Sequence, residues 1–333
     1  MRGSMSMIVL GVLAVAGVVC NGDAGLGPDF VAPTSQLGRG INLGNKLEAP
    51  NEGDWGTPVQ AWMMTTIRQG GFATVRIPVR WSAHTAASPP YAIDAAFMDR
   101  VTWVVDQARS AGLMVVLNVH NYEEIFQDPR GQRDRFLAMW GQIATHFAGY
   151  SDSLLFEVLN EPHDSLTAEL WNQLLGDALG VIRQSNPTRY VVIGTGEWGG
   201  IGAMGRLQLP DDHRLIFTFH YYNPFQFTHQ GAEWVQGSNA WLGTTWGTSQ
   251  EKAAVQDDFD AVAAWAVQHQ VPVYMGEFGA YSRAAMRDRV AWTTFVAREA
   301  EKRGFSWAYW EFDSGFGAYT GGRWNELHDA LIP

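Results

Sequence analysis

Eight short apolar stretches of this chain end on, or carry, a group that could do chemistry. They lead to Asn45 and Glu48, carry Arg76, and lead to His120-Asn121-Tyr122, Asn160-Glu161-Pro162, Glu197-Trp198, His220-Tyr221-Tyr222, Glu277 and Trp310-Glu311. Any one of these has a structural explanation, as a cap, a rim charge or a buried hydrogen bond. Their recurrence on every stretch is not what folding alone predicts. Carboxylates with histidines suit either paired acid/base chemistry or a metal site. Metal ligands need close spacing, and the chain has no His-x-His on an early stretch, no His-Glu-x-x-His and no Asp cluster. A metal-dependent hydrolase is therefore the weaker reading, and neither a resident metal nor a cofactor is expected. A serine triad lacks its Gly-x-Ser-x-Gly turn.

Fifteen tryptophans point to what is bound. Trp62, Trp103, Trp140, Trp171, Trp265 and Trp292 fall in helical patterns and are expected in the core. Trp55, Trp81, Trp198, Trp234, Trp241, Trp246, Trp310 and Trp324 fall in loops or at strand ends, among Gly, Asn, Gln and Thr. A flat aromatic face beside amides and hydroxyls suits a sugar ring, which has C–H faces above and below and hydroxyls at its edge. Packing beneath long loops is the plainer alternative.

The elements that must position these groups are Ile41-Asn42-Leu43, Ala73–Val79, Leu113–Val119, Leu154–Asn160, Tyr190–Thr195, Leu215–Phe219, Pro272–Gly276 and Ser306–Tyr309, all reading as strands. Helical patterns lie between them. Thr57-Pro58 starts one that Gly70-Gly71 stops, and Asp94 caps another that carries Phe97, Val101, Val104, Val105 and Ala108 on one face. Further faces hold Phe136, Trp140, Ile143 and Phe147, then Leu170, Leu174 and Ile182, then Phe259, Val262 and Ala266. Strand–helix alternation of this length predicts an α/β chain folded as a single (β/α)8 TIM barrel over residues 38–333, with its chemistry at the C-terminal strand ends. Gly196–Arg214, Gly-rich and short for a helix, is the weak repeat. It leaves an open doubly wound sheet as the alternative, although no Gly-rich phosphate fingerprint follows the first strand.

With 333 residues, 46% of them apolar and 17% charged, the chain is neither disordered nor fibrous. Its net charge of −11, without a basic block, argues against nucleic acid and anionic membranes as partners. The single cysteine, Cys20, rules out intrachain disulfides and a cysteine zinc cage. Residues 7–19 form a short apolar run behind Arg2, too short for the ~20 residues of a membrane span, and read as part of a secretory signal over residues 1–24. A loose segment, 25–37, follows. The expectation is a secreted bacterial monomer with no membrane span. Lipid anchoring at Cys20 is the weaker reading because Val19 is bulky for that signal, and Met1-Arg2-Gly3-Ser4 also reads as a tag remnant.

At the strand ends the sequence resembles glycoside hydrolase family 5, the retaining endo-β-glucanases and mannanases. The matching pieces are Arg39-Gly40-Ile41-Asn42-Leu43-Gly44-Asn45, Val75-Arg76-Ile77-Pro78, Asn118-Val119-His120, Leu159-Asn160-Glu161-Pro162, His220-Tyr221-Tyr222, Gly276-Glu277-Phe278-Gly279 and Trp307–Trp310, in order along the chain. Residues 48–56 and 227–234 resemble the thermophilic-bacterial branch with mixed glucan and mannan activity. The resemblance implies Glu161 as general acid/base and Glu277 as nucleophile, with Arg76 and Tyr222 favouring the Glu277 anion. It implies Asn160 as donor to the sugar 2-hydroxyl, His120 and His220 around the reacting sugar, and Trp310 as the platform beneath it. Asn45, Glu48, Asn121 and Trp234 join the expected substrate contacts. Glu157 shares the parity of Glu161, about four residues deeper in strand four, and reads as a buried, hydrogen-bonded group, while Glu197 and Glu311 read as rim or structural groups. One departure stands out: close relatives place a second histidine where this chain has Asn121. The implied activity is endo-β-1,4-glucanase on a β-1,4-linked polysaccharide, with mannanase or mixed activity as the near alternative and a non-catalytic carbohydrate-binding barrel as the distant one.

Overall fold

Strands covered on both faces read as continuous apolar runs, which is why all eight were visible as such. The computed structural model describes residues 37–333. In it β1 (Arg39–Asn42), β2 (Thr74–Ile77), β3 (Met114–Asn118), β4 (Leu154–Glu157), β5 (Val191–Gly194), β6 (Leu215–Tyr221), β7 (Val273–Phe278) and β8 (Ser306–Tyr309) form a closed barrel in chain order. The strands are parallel, and β8 pairs with β1 to complete the ring. Each overlaps one of the expected stretches. Val75, Ile77, Val115, Leu117 and Phe156 face outward into the main core beneath the helices. The alternate residues Val116, Leu155, Val192, Ile216, Tyr274 and Ala308 make a second, smaller cluster filling the barrel floor. Toward the C-terminal ends this inner set turns polar with Arg76, Asn118, Glu157 and Thr218, all buried. The barrel is thus closed by hydrocarbon below and by a hydrogen-bonded layer above.

The helices that cover it are α1 (Ala61–Gln69), α2 (Ala95–Ser110), α3 (Glu123–Gln127), α4 (Pro129–His146), α5 (Ala168–Ser185), α6 (Phe225–Thr228), α7 (Ser249–His269), α8 (Met286–Lys302) and α9 (Glu326–Leu331). Asp94 caps α2 as expected, its Oδ1 accepting from Phe97 N at 2.8 Å. The first helix differs from the expectation: it starts at Ala61 rather than at Thr57-Pro58. Val59 is drawn out of the helical path because its N–H donates to Glu52 Oε1 at 2.8 Å and its carbonyl accepts from Arg100 Nη2 at 2.7 Å. The weak repeat, Gly196–Arg214, holds only the 3-10 segment Ile201–Arg206, yet β5 and β6 still pair directly in parallel. The signal-peptide reading and Cys20 lie outside the described residues. Among the described residues, no helix is long and apolar enough to cross a membrane.

Candidate active site

Arg76 sits near the end of β2, wholly buried. Its Nε and Nη2 clasp the two oxygens of Glu157 on β4 at 2.6 and 2.7 Å, and Nη2 also reaches Asn160 Oδ1 at 2.8 Å. Its Nη1 donates to Asn42 Oδ1 at 2.9 Å and to Glu277 Oε1 at 2.6 Å. Every guanidinium N–H faces an acceptor, which is the condition for keeping a charge inside a barrel. Burial opposes the Arg76 cation, but Glu157 and Glu277 outweigh it and hold its pKa well above the ordinary value. Burial likewise opposes the Glu157 anion, and Arg76 overcomes it, holding that carboxyl below its ordinary value. Glu157 is the buried partner its strand parity implied. Because Asn160 accepts through Oδ1, its Nδ2 is left free to donate elsewhere.

Glu277 reaches the barrel mouth through an irregularity in β7. Phe219 pairs with Met275 but His220 pairs with Glu277, so Gly276 is an extra residue in that strand. Simple alternation from the inward Tyr274 would turn position 277 toward the helices; the bulge brings it inward instead. Glycine is needed there, since a Cβ would stand 2.8 Å from Thr218 Oγ1 and 3.3 Å from His220 Nε2. The Glu277 carboxylate is buried, with Arg76 on one oxygen and the Tyr222 hydroxyl donating to the other at 2.9 Å. Burial raises its pKa above the ordinary carboxyl value, against the pull of His220 and Arg76 and with a further push from Glu161.

Glu161 follows β4 with φ 44°, a left-handed conformation uncommon for glutamate. It is the more open of the pair, its side chain 22% exposed against 6% for Glu277. His220 Nδ1 lies 2.6 Å from Glu161 Oε1 and 3.6 Å from Glu277 Oε2. Burial disfavours the His220 cation, yet Glu277 and Glu161 together raise its pKa. One ligand-type atom from each of Glu161, His220 and Glu277 lies within 4.8 Å of the others, a spacing that could hold a metal ion. The hydrogen bonds oppose that use: His220 Nδ1 is engaged with Glu161, and both Glu277 oxygens already accept from Arg76 and Tyr222.

His120 is buried and in a different state. Asn118 Oδ1 accepts from Val79 N at 3.2 Å, which turns Asn118 Nδ2 toward His120 Nδ1 at 3.0 Å. An amide N–H facing Nδ1 makes that nitrogen the acceptor and leaves the ring hydrogen on Nε2. Burial, then Arg76 and His220, hold the His120 pKa well below its ordinary value, so the ring is neutral. It lies parallel to Trp310, centroids 5.9 Å apart. Trp310 in turn needs Gly44, where a Cβ would come within 2.9 Å of its ring.

The remaining expected contacts divide. Glu48 is 2% exposed, and its two oxygens accept from the backbone N–H groups of Asn45 and Lys46, so it shapes the loop after β1. Burial raises its pKa to about 7. Asn45 and Asn121 adopt left-handed φ values of 59° and 49°, which asparagine tolerates. Asn121 Nδ2 donates to the Glu48 carbonyl at 3.1 Å, tying the third loop to the first. Trp234 is 61% exposed and stands edge-on to Tyr281 at 4.8 Å. Glu197 ion-pairs with Arg206, and Glu311 accepts from the N–H groups of Asp313, Ser314 and Phe316, so both are structural as read.

The tryptophan sorting needs three corrections. Trp81 is buried, held by Nε1 donating to Asn118 O at 2.9 Å, and Trp246 is buried against Phe295. Trp62, expected in the core, is 45% exposed because it lies across Phe312 and Tyr319 of the last loop. Sequence reasoning also gave no role to Asn42, Asn118 or His163. The first two are the last residues of β1 and β3, where inward parity at a strand end could have found them.

Residues 38–315 match the cellulase family, glycosyl hydrolase family 5. Endoglucanase H of Acetivibrio thermocellus is 41% identical over 276 residues, covering 83% of this chain and 29% of that protein. The same organism's cellulase/esterase CelE is 32% identical, over 82% of this chain and 35% of its own length. The chain thus spans about a third of these relatives or less. Solved structures of Thermotoga maritima Cel5A, with mannotriose and with cellobiose, superpose with TM-score 0.89 at 49% identity, covering 91% of this chain and 99% of theirs. The chain belongs to glycosyl hydrolase family 5, a family of retaining glycoside hydrolases.

Proposed function

We propose that this member of glycosyl hydrolase family 5 is a secreted endo-β-1,4-glucanase that cuts internal bonds of soluble glucans by double displacement. The observation that carries the reading is the asymmetry of two carboxyl groups whose nearest oxygens lie within 4.8 Å. That spacing is on the retaining side of the ~5–5.5 Å and ~6.5–9.5 Å classes, leaving no room for a water between carboxylate and sugar. Glu277, gripped by Arg76 and Tyr222, attacks the anomeric carbon as an anion. The glycosidic C–O bond breaks as the Glu161 proton passes to the departing oxygen, and a glycosyl ester forms on Glu277. With the Glu277 charge gone, Glu161 is free to stay ionised. It takes a proton from water, whose oxygen attacks the same carbon and releases Glu277. His220 Nδ1–H steadies the Glu161 carboxylate between the steps, and the outward Nδ2 of Asn160 meets the 2-hydroxyl, where a hydrogen bond strengthens in the oxocarbenium-like transition state.

Proton NMR of the first product from wild-type enzyme tests this: the β-configured product is expected, and an α-configured one would remove Glu277 as nucleophile. Mannan is the second reading, favoured by the 49% identity to a protein crystallised with both cellobiose and mannotriose. Hydrolysis of carboxymethyl-cellulose, mixed-linkage glucan and mannan by one preparation separates the two. Secretion rests on the apolar run at residues 7–19. Mass spectrometry of exported protein should show loss of roughly the first twenty-four residues, and an intact Met1 would refute it.

A further inference from the structure

His163 takes no part in the steps above, yet it holds the strand end that carries Glu161. It is buried, and its Nδ1 lies 2.5 Å from the Glu161 carbonyl oxygen. A carbonyl can only accept, so this nitrogen donates. The ring is held between Phe126 of α3, centroids 3.9 Å apart, and Trp198 after β5, 3.5 Å apart and nearly parallel. Trp198 N donates to the Pro162 carbonyl at 3.2 Å, and Ser165 N to the Phe126 carbonyl at 2.9 Å. The segment needs such ties, because Glu161, Asp164 and Trp198 all take left-handed φ values of 44°, 53° and 62°. Such conformations persist only where the surroundings over-determine them.

We propose that His163 is a positioning residue for the acid/base: by fixing the Glu161 carbonyl it fixes the direction in which the Glu161 carboxyl leaves the backbone and meets His220. This rests on the reading of Glu161 as acid/base. A misplacement of about 1 Å costs on the order of 10²-fold in a positioned step. The loss from a misplaced acid depends on how much the departing group needs a proton.

The test compares kcat/KM of His163→Ala on cellotetraose and on 2,4-dinitrophenyl β-cellobioside, whose leaving group departs without protonation. A drop of about ten- to a hundredfold is expected on cellotetraose and a change within about twofold on the aryl glycoside. On the aryl glycoside kcat and KM should fall together as glycosyl-enzyme accumulates. His163→Asn, whose amide can donate from nearly the same place, should recover most of the activity. His163→Phe keeps the stacked ring without the donor and should behave like Ala, which keeps the test alive if the Ala variant does not fold. Equal losses on both substrates, or none on either, would overturn the proposal. Glu161→Ala is run alongside. If it too lacks leaving-group dependence, the acid/base reading falls and this inference with it; if only the His163 variants lack it, this inference alone falls.

Discussion

The two carboxyl groups of the cleft, proposed above as nucleophile and acid/base, are held by different means. At β7 the Glu277 carboxylate is buried and meets a fixed donor on each oxygen, Arg76 and Tyr222, both locked by their own partners. At β4 the Glu161 side chain is about a fifth exposed, meets only His220 among the described residues, and depends on a left-handed backbone turn for its direction. The first arrangement suits a group that must keep one charge state until it attacks. The second suits a group that must take up and give back a proton in every cycle, since access to water and a titratable partner let its charge change at low cost. The two glutamates differ less in themselves than in what faces them, and the proposed roles follow that difference.

The severest way to break the comparison is Glu277→Ala. Turnover of glucan should fall on the order of 10⁵-fold. Azide should restore it in the vacated space with a product of inverted configuration, scored by NMR; a retained product would reverse the roles. Next, Tyr222→Phe removes one of the two donors to Glu277. A hydrogen bond to a charged group is worth ~1.5–3 kcal/mol, so kcat/KM on an aryl cellobioside should drop about ten- to a hundredfold. The acidic limb of the pH profile should also move to higher pH, because the Glu277 anion has lost support. An unmoved limb would mean that Arg76 alone sets that charge.

Most of this was open to a reader of the sequence, for reasons that also explain the gaps. The strands were legible because burial on both faces leaves a continuous apolar signature, and the chemistry was legible because barrels gather their strand ends on one face. The bulge at Gly276 was not, since alternation carries no mark of an inserted residue; only the pairing with β6 reveals it. The same limit applies to Trp81 and Trp246, whose neighbours in sequence are polar but whose neighbours in space are not. It applies to His163 as well, because its partners come from α3 and from the loop after β5 and nothing local to Asn160-Glu161-Pro162 announces them.

A third way of holding a carboxyl sharpens the contrast further. Glu48 and Glu311 are buried on backbone N–H groups with no clasping guanidinium, and burial raises them to about 7 and about 8 from 4.5. The folded chain therefore keeps protons that the unfolded chain releases above pH 4.5. Stability should fall as pH rises through this window, so the urea midpoint should be higher at pH 5 than at pH 8. His220, with its raised value, adds in the same sense. Glu157, held low, acts oppositely and loses its contribution only in acid. Glu48→Gln should flatten the decline between pH 5 and 8; an unchanged slope would remove Glu48 as a cause. The smallest effect is expected from Asn121→His. Since the Asn121 amide is used on the Glu48 carbonyl, the glucan-to-mannan ratio of kcat/KM should change no more than about twofold, with a stability loss of ~0.5–1.5 kcal/mol. A several-fold change in the ratio would place residue 121 against the sugar.

Arg76 also bears on how the polypeptide could be divided. Of its five hydrogen bonds, four stay among Asn42, Glu157 and Asn160, and one crosses to Glu277. A break at the exposed Asp211, between β5 and β6, would leave the first fragment with its buried cation neutralised by Glu157 and the second with a Glu277 carboxylate that has lost its guanidinium. The halves would then be drawn together by the Arg76–Glu277 bond, and recovered hydrolysis would report their reassembly.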